Sequence, residues 1–135
     1  MLWLLYFPQN GEVNLRKYAR ACGLSDEQIV FTPVAQKADH VARAAIADIF
    51  LDTPVCNAHT TGTDCLWSGT PIITLPGKTL ASRVGASLLC ALGLPQLVAK
   101  SALEYVTMAV ELGNNPSKLR ELRVVLDRHI ELYPL

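Results

Sequence analysis

The sequence predicts an α/β domain with a doubly wound parallel sheet. Three observations lead there. Short apolar runs alternate with stretches of helical spacing four or five times along 135 residues. The apolar runs are too uniformly hydrophobic for strands with one wet face, which is how strands covered by helices on both sides read. The punctuation is ordered as well, with proline or glycine closing most segments.

Leu2 to Tyr6 is the first strand, stopped by Pro8 and the Asn10-Gly11 turn signal. Val13 to Cys22 carries Leu15, Tyr18, Ala19 and Cys22 at helical spacing, with Gly23 closing the helix. Gln28 to Phe31 is the second strand, ended by Pro33. Lys37 to Ala47 is the second helix, and Asp48 to Leu51 the third strand. Thr60 or Thr61 caps a helix running to Ser68 before Gly69. Pro71 to Leu75 is the fourth strand, and Thr79 caps a long helix to Leu92. Gln96 to Val98 is a weak fifth strand, followed by helices over about Leu103 to Leu112 and Ser117 to Leu132.

Hydrophobic residues make up 50% of the chain and charged ones 18%, so it holds enough apolar material for a core and is not a disordered segment. Twelve basic side chains balance twelve acidic ones. That balance excludes the broad basic surface of a nucleic-acid protein, so any anion site must be local. No apolar run approaches the ~18 residues of a membrane span. The four cysteines Cys22, Cys56, Cys65 and Cys90 form no metal or redox pair and read as buried free thiols.

In open parallel sheets ligands bind beyond the carboxyl ends of the strands. The loops after strands two, three and four hold the unusual polar residues. One cluster is Asn57-Ala-His-Thr-Thr-Gly-Thr-Asp64, between a strand and a helix. The open amides at that helix start favour a phosphate, with Thr60 and Thr61 hydroxyls and His59 as further donors. Asp64, one turn in, is placed to accept from sugar hydroxyls. The plainer alternative is that the threonines only cap the helix and Asp64 offsets its dipole. In the second cluster Lys37, His40 and Arg43 stand three residues apart on one helix face. They read either as base and ribose contacts or as a solvated basic face. Trp67 is expected in the core, and Lys78 and Arg83 are weaker anion candidates.

These clusters resemble the protein O-GlcNAc transferase family. The resemblance is carried by Phe31-Thr-Pro-Val-Ala-Gln-Lys-Ala-Asp-His-Val-Ala-Arg43, by Leu51-Asp-Thr-Pro-Val-Cys-Asn-Ala-His-Thr-Thr-Gly-Thr-Asp-Cys-Leu-Trp-Ser-Gly-Thr-Pro71 and by Thr74-Leu-Pro-Gly-Lys-Thr-Leu-Ala-Ser-Arg-Val-Gly-Ala-Ser87, in that order. It implies a Rossmann-like fold, the C-terminal, donor-binding half of a GT-B glycosyltransferase. Residues 1–100 would be the UDP-sugar-binding half-domain, and 101–135 the closing helices of the same domain.

The resemblance further implies inverting, metal-independent transfer of N-acetylglucosamine from UDP-GlcNAc to Ser or Thr of cytoplasmic and nuclear proteins, with no cofactor and neither nucleic acid nor membrane as partner. By resemblance the Ala35 backbone and Arg43 hold the uracil, His40 stacks on it and Lys37 meets the ribose. Asp64 accepts from ribose hydroxyls, while His59, Thr60 and Thr61 cradle the diphosphate. Gln36 and Ala42 depart from a proline and a basic residue of the family pattern, at positions carrying none of these contacts. The residues that catalyse transfer and hold the acceptor are not among these segments. The chain is therefore expected to be a fragment, inactive alone. Two rival expectations are a GDP-fucose-using O-fucosyltransferase of the same fold and a non-catalytic nucleotide-binding or interaction module.

Overall fold

The computed structural model describes residues 1–8 and 10–133. They fall into two compact units, Met1–His40 and Val41–Leu135.

The first unit holds strand β1 (Leu2–Leu5), helix α1 (Gly11–Ala21) and strand β2 (Ile29–Thr32). β1 and β2 pair in parallel with Leu2 opposite Ile29 and Leu5 opposite Thr32. The Trp3 indole donates to Thr32 Oγ1 across the pair at 2.7 Å. The return from α1 is held by charge: Arg16 donates to Glu12 at 2.8 Å and to the Asp26 carbonyl at 3.0 Å. The Arg16 guanidinium also lies over the Phe31 ring, 5.0 Å from its centre.

Helix α2 (Lys37–Ala44) ends in the second unit, which continues with β3 (Phe50–Leu51), α3 (Thr60–Trp67), β4 (Ile72–Ile73), α4 (Val84–Ala91), α5 (Ala102–Gly113) and α6 (Pro116–Leu132). β3 and β4 are parallel, Phe50 opposite Ile72, and Thr74 bridges in parallel to Val98. The core lies between this sheet and the helices, where Leu66, Ile73, Leu89, Leu92 and Leu126 are sealed from solvent. Glycines end two of the packed helices, Gly69 at φ 81° and Gly93 at φ 68°, a backbone region that side chains disfavour. Helices α5 and α6 belong to this same unit. Among the described residues no helix is long and apolar enough to cross a membrane.

The α/β alternation and the parallel pairing agree with the sequence. Several boundaries do not. The ladders form as two separate two-stranded pairs, one in each unit. The second helix ends at Ala44 rather than Ala47, because the buried Thr70 hydroxyl takes the Ala44 carbonyl at 2.7 Å. Arg123 of α6 then donates to the carbonyls of Ala47 and Asp48, so the third strand starts at Phe50 instead of Asp48. The long helix expected from Thr79 is a short 3-10 turn, Leu80–Ser82, followed by α4. Ser82 breaks it: its hydroxyl donates to the Thr79 carbonyl at 2.9 Å and its own carbonyl accepts from Gly77 N. Pro95–Leu97 is likewise a 3-10 turn, leaving the fifth strand as one bridge at Val98. Trp67 is 63% exposed rather than in the core, and of the four thiols only Cys65 is buried.

Candidate functional site

Two groups of residues carry the candidate chemistry, and each is built locally. The first starts where β2 ends. After Pro33 the chain has no regular structure until Gln36, whose carbonyl accepts from His40 N at 2.8 Å to open α2. Ala35 is half-buried on the approach. Lys37 begins the helix, His40 follows one turn later and Arg43 another turn on. Lys37 is exposed, whereas His40 and Arg43 are half-buried. The helix thus delivers the three cationic or aromatic side chains in the predicted sequence, one per turn.

The second group sits beyond β3 and β4. Asp52 follows β3 directly and is 1% exposed. Its Oδ1 accepts from Thr53 N at 3.0 Å and Ala58 N at 2.7 Å, and its Oδ2 from the Thr74 hydroxyl at 2.6 Å. Asn57, also buried, donates from Nδ2 to the Thr53 carbonyl at 2.9 Å. Its Oδ1 accepts from Gly85 N at 3.1 Å. The loop between Asp52 and His59 is therefore folded back on two buried polar side chains, each with its hydrogen bonds filled.

That loop delivers His59 to the amino end of α3. The expected cap, Thr60 or Thr61, is corrected: His59 is the N-cap residue and the threonines are the first two helical residues. The difference has a chemical consequence. A capping hydroxyl would turn inward onto the third amide of the helix. No side chain does so here, and no acid occupies the first turn. α4 provides the contrast. Its second amide, on Gly85, is already taken by Asn57. The α3 start therefore keeps the unscreened positive end of its dipole and open amides, an arrangement that favours negative charge.

His59 is oriented by the neighbouring loop. Its Nε2 lies 3.3 Å from the Ala81 carbonyl, which also accepts from Asn57 N at 2.8 Å. A carbonyl only accepts, so Nε2 carries the proton there and Nδ1 is the nitrogen left for a ligand. Thr60 is exposed and Thr61 and Asp64 are half-buried. Asp64 lies one turn into the helix, and Cys65 beside it faces the core. Burial, aided by the Asp64 charge, pushes the Cys65 thiol up to about 11, so it is neutral at ordinary pH. Of the weaker anion candidates, Arg83 donates to the Gly77 carbonyl at 3.0 Å and thereby supports the loop.

Sequence reasoning assigned no role to Asp52, Thr74 or Gly85, and none to Asn57 although that residue opens the first cluster. The one available signal was a polar pair, Asp52 and Asn57, bracketing a short loop after a buried strand. Gly85 carries a geometric requirement: a Cβ there would stand 2.3 Å from Asp52 Oδ2 and 2.7 Å from Thr74 Oγ1.

Comparison with known proteins bears on what these groups serve. The model for Glycosyl transferase family 41 matches residues 1–132. A UDP-N-acetylglucosamine–peptide N-acetylglucosaminyltransferase of Caenorhabditis elegans is 54% identical over 123 residues, which are 91% of this chain and 11% of that protein. A protein of Arabidopsis thaliana named "Probable UDP-N-acetylglucosamine--peptide N-acetylglucosaminyltransferase SEC" is 51% identical over 122 residues, 90% of this chain and 12% of its own. Among solved structures, a mutant of Thermobaculum terrenum O-GlcNAc transferase matches with a TM-score of 0.90 at 30% identity, over 97% of this chain and 26% of that one. The chain thus spans about a ninth of the length of these curated relatives.

Proposed function

Because the chain belongs to glycosyl transferase family 41, we propose that it is the donor-binding part of a protein O-GlcNAc transferase and that its ligand is UDP-GlcNAc. The observation that carries this reading is the start of α3: an N-cap histidine with one nitrogen occupied, two threonines in the first turn, and no acid or capping side chain competing for an anion.

In this reading the diphosphate rests against the first turn of α3. The Thr60 and Thr61 amides and hydroxyls donate to it, and His59 does so through Nδ1 with the ring doubly protonated, held between the Ala81 carbonyl and the phosphate. Asp64 accepts from ribose hydroxyls. The Ala35 backbone and Arg43 hold the uracil, His40 stacks over it and Lys37 meets the ribose. Residues 1–100 form the half-domain that binds the UDP-sugar, and 101–135 complete the same domain.

The chemistry follows from the leaving group. As the bond between the sugar's anomeric carbon and the diphosphate breaks, negative charge grows on the terminal phosphate of UDP. Donors already fixed at that position stabilise this charge more in the transition state than in the ground state, which is what lowers a barrier. Here the donors belong to the protein, so the reading assigns that work to α3 and His59 without a divalent ion. The acceptors are Ser and Thr hydroxyls of cytoplasmic and nuclear proteins. They attack from the opposite face of the sugar, inverting the anomeric centre. The acceptor-holding residues lie in the parts of the relatives that this chain does not span. The chain alone binds UDP and transfers nothing.

Isothermal titration of the 135-residue chain with UDP, GDP and uridine tests the reading. UDP binds better than GDP. His59→Ala weakens UDP by about tenfold, the scale of one charge-assisted hydrogen bond, and leaves uridine alone. Lys37→Ala weakens both ligands. Parent-like UDP binding by both variants refutes the site assignment, and absence of UDP binding by the parent refutes the nucleotide reading.

A further inference from the structure

The carboxylate of Asp52 is sealed from solvent, at 1% exposed, directly behind the turn that presents His59. A buried charge is retained only where it is compensated. Three donors compensate it: two amides of its own loop, Thr53 N and Ala58 N, and the Thr74 hydroxyl beyond β4. Ala58 is the residue immediately before the N-cap of α3. The shorter of the two amide bonds, 2.7 Å, is thus made one residue from the proposed diphosphate contacts. The backbone carbonyl of Asp52 is held as well, accepting from the Tyr105 hydroxyl of α5 at 2.9 Å. Burial and the Asp52 charge both push that phenol's pKa up, which keeps it a donor.

An apolar residue in place of Asp52 would fit the buried end of β3 but could bind neither loop amide. The carboxylate performs a task that a hydrophobic isostere cannot: it sets where the chain turns before α3. We propose that Asp52 is a positioning residue for the donor's diphosphate, its buried carboxylate clamping Ala58 N to Thr74 so that His59, Thr60 and Thr61 stand where the phosphates bind. This rests on the reading of the α3 start as the diphosphate site.

The test compares UDP with uridine, which lacks the phosphates, on the whole chain carrying Asp52→Asn. The amide oxygen can still take both loop amides, but more weakly than a charged carboxylate does; the NH2 in place of Oδ2 makes the Thr74 hydroxyl an acceptor and leaves its second N–H without a partner in the sealed site. Expected is a loss of about tenfold in UDP affinity, with uridine changed by less than roughly twofold. Thr74→Val, which removes only the hydroxyl, shifts the same ratio in the same direction, and Thr74→Ser restores it. Equal loss for both ligands would show a general scaffold role and overturn the proposal, as would unchanged UDP binding.

If circular dichroism shows Asp52→Asn unfolded, the Thr74→Val ratio decides: a UDP-specific loss supports, and no specific loss overturns. Amide hydrogen exchange separates this proposal from the nucleotide reading beneath it. Should the parent bind no UDP, that reading fails. Faster exchange in the variant confined to residues 53–61 then still supports Asp52 as the clamp of this turn, whereas uniform or absent change overturns it.

Discussion

The two units use apolar residues in opposite ways. In Val41–Leu135, Leu66, Ile73, Leu89, Leu92, Leu94 and Leu126 are each 0% exposed. In Met1–His40 the described residues that count as buried are Ala19 and Ile29, while Phe7, Val13 and Tyr18 each stand more than 70% exposed. The reason is geometric. Two strands and one helix have too little surface to enclose anything, while two strands with four whole helices packed about them close a core. The proposed phosphate turn is mounted on the unit with the core, and Lys37 and His40 on the unit without one. The proposed diphosphate contacts are thus built on the better-packed of the two units.

The largest effects should separate the units. Leu66→Ala empties a fully sealed position and is expected to cost about 3–4 kcal/mol in chemical denaturation. Leu15→Ala, at a position 45% exposed in α1, should cost less than about 1 kcal/mol. Comparable losses would break the comparison.

Next comes the bracket behind the turn. Gly85→Ala forces a methyl group against Asp52 Oδ2 and Thr74 Oγ1, for an expected loss of about 2–3 kcal/mol. Gly113→Ala, with nothing within 4 Å of the added carbon at the end of α5, should be neutral or stabilising by roughly half a kcal/mol. Thermal melts of the two variants check the difference. A mild Gly85→Ala would mean that Asp52 and Thr74 can shift without harm, and would weaken the account of the loop.

The same contrast explains what was legible in the sequence. The α/β alternation, the parallel pairing and the places of Lys37, His40 and Arg43 along one helix and of His59 and Asp64 at the start of another could be read, because periodicity and turn residues are local signals. The errors lie where a distant side chain overrides a local preference. Arg123 reaches back some 75 residues to take the carbonyls before β3, and Thr70 takes the last carbonyl of α2. The Ser82 error is local instead: its hydroxyl bonds the Thr79 carbonyl three residues back and splits a helix that composition alone favours. Trp67 has core composition but falls on the outward side of α3, while Cys65 and Leu66 take the inward one. Asp52 was invisible for the same reason: a lone acid after a strand says nothing until Ala58 and Thr74 are seen to meet it.

A smaller effect follows from Cys65, which burial holds in its neutral form up to about 11. Its folded pKa lies above the ordinary 9.0, so the stability it supports is intact below pH 9 and drains away as the pH climbs toward 11. Cys22 in the first unit, and Cys56 and Cys90 in the second, are exposed. A thiol-reactive chromophore should therefore label three thiols in the native protein and the fourth only with unfolding. Replacing Cys65 by Ala should flatten the alkaline arm of the stability curve. Immediate labelling of all four thiols would contradict the packing of α3.

The smallest effect belongs to the first unit, and its size is itself the prediction. Arg20 donates to Asp26 twice, at 2.9 and 2.7 Å, and this hydrogen bonding lowers the Asp26 carboxyl below its ordinary 3.8. The linkage has the sign of a depressed acid: the stabilisation is present above pH 3.8 and disappears as the pH falls through the lowered value. Both groups are solvent-exposed, so salt screens the pair and the ordering of two long side chains opposes it. Asp26→Asn should lower the melting temperature only slightly at low salt and neutral pH. The difference should vanish at high salt, and also once acid has protonated the parent's carboxyl. Salt-resistant loss would mean that Asp26 acts through the fixed geometry of its two side-chain hydrogen bonds from Arg20 rather than through charge. The first unit would then depend on a fixed polar joint as the second does at Asp52, and the contrast between them would narrow to the size of the core alone.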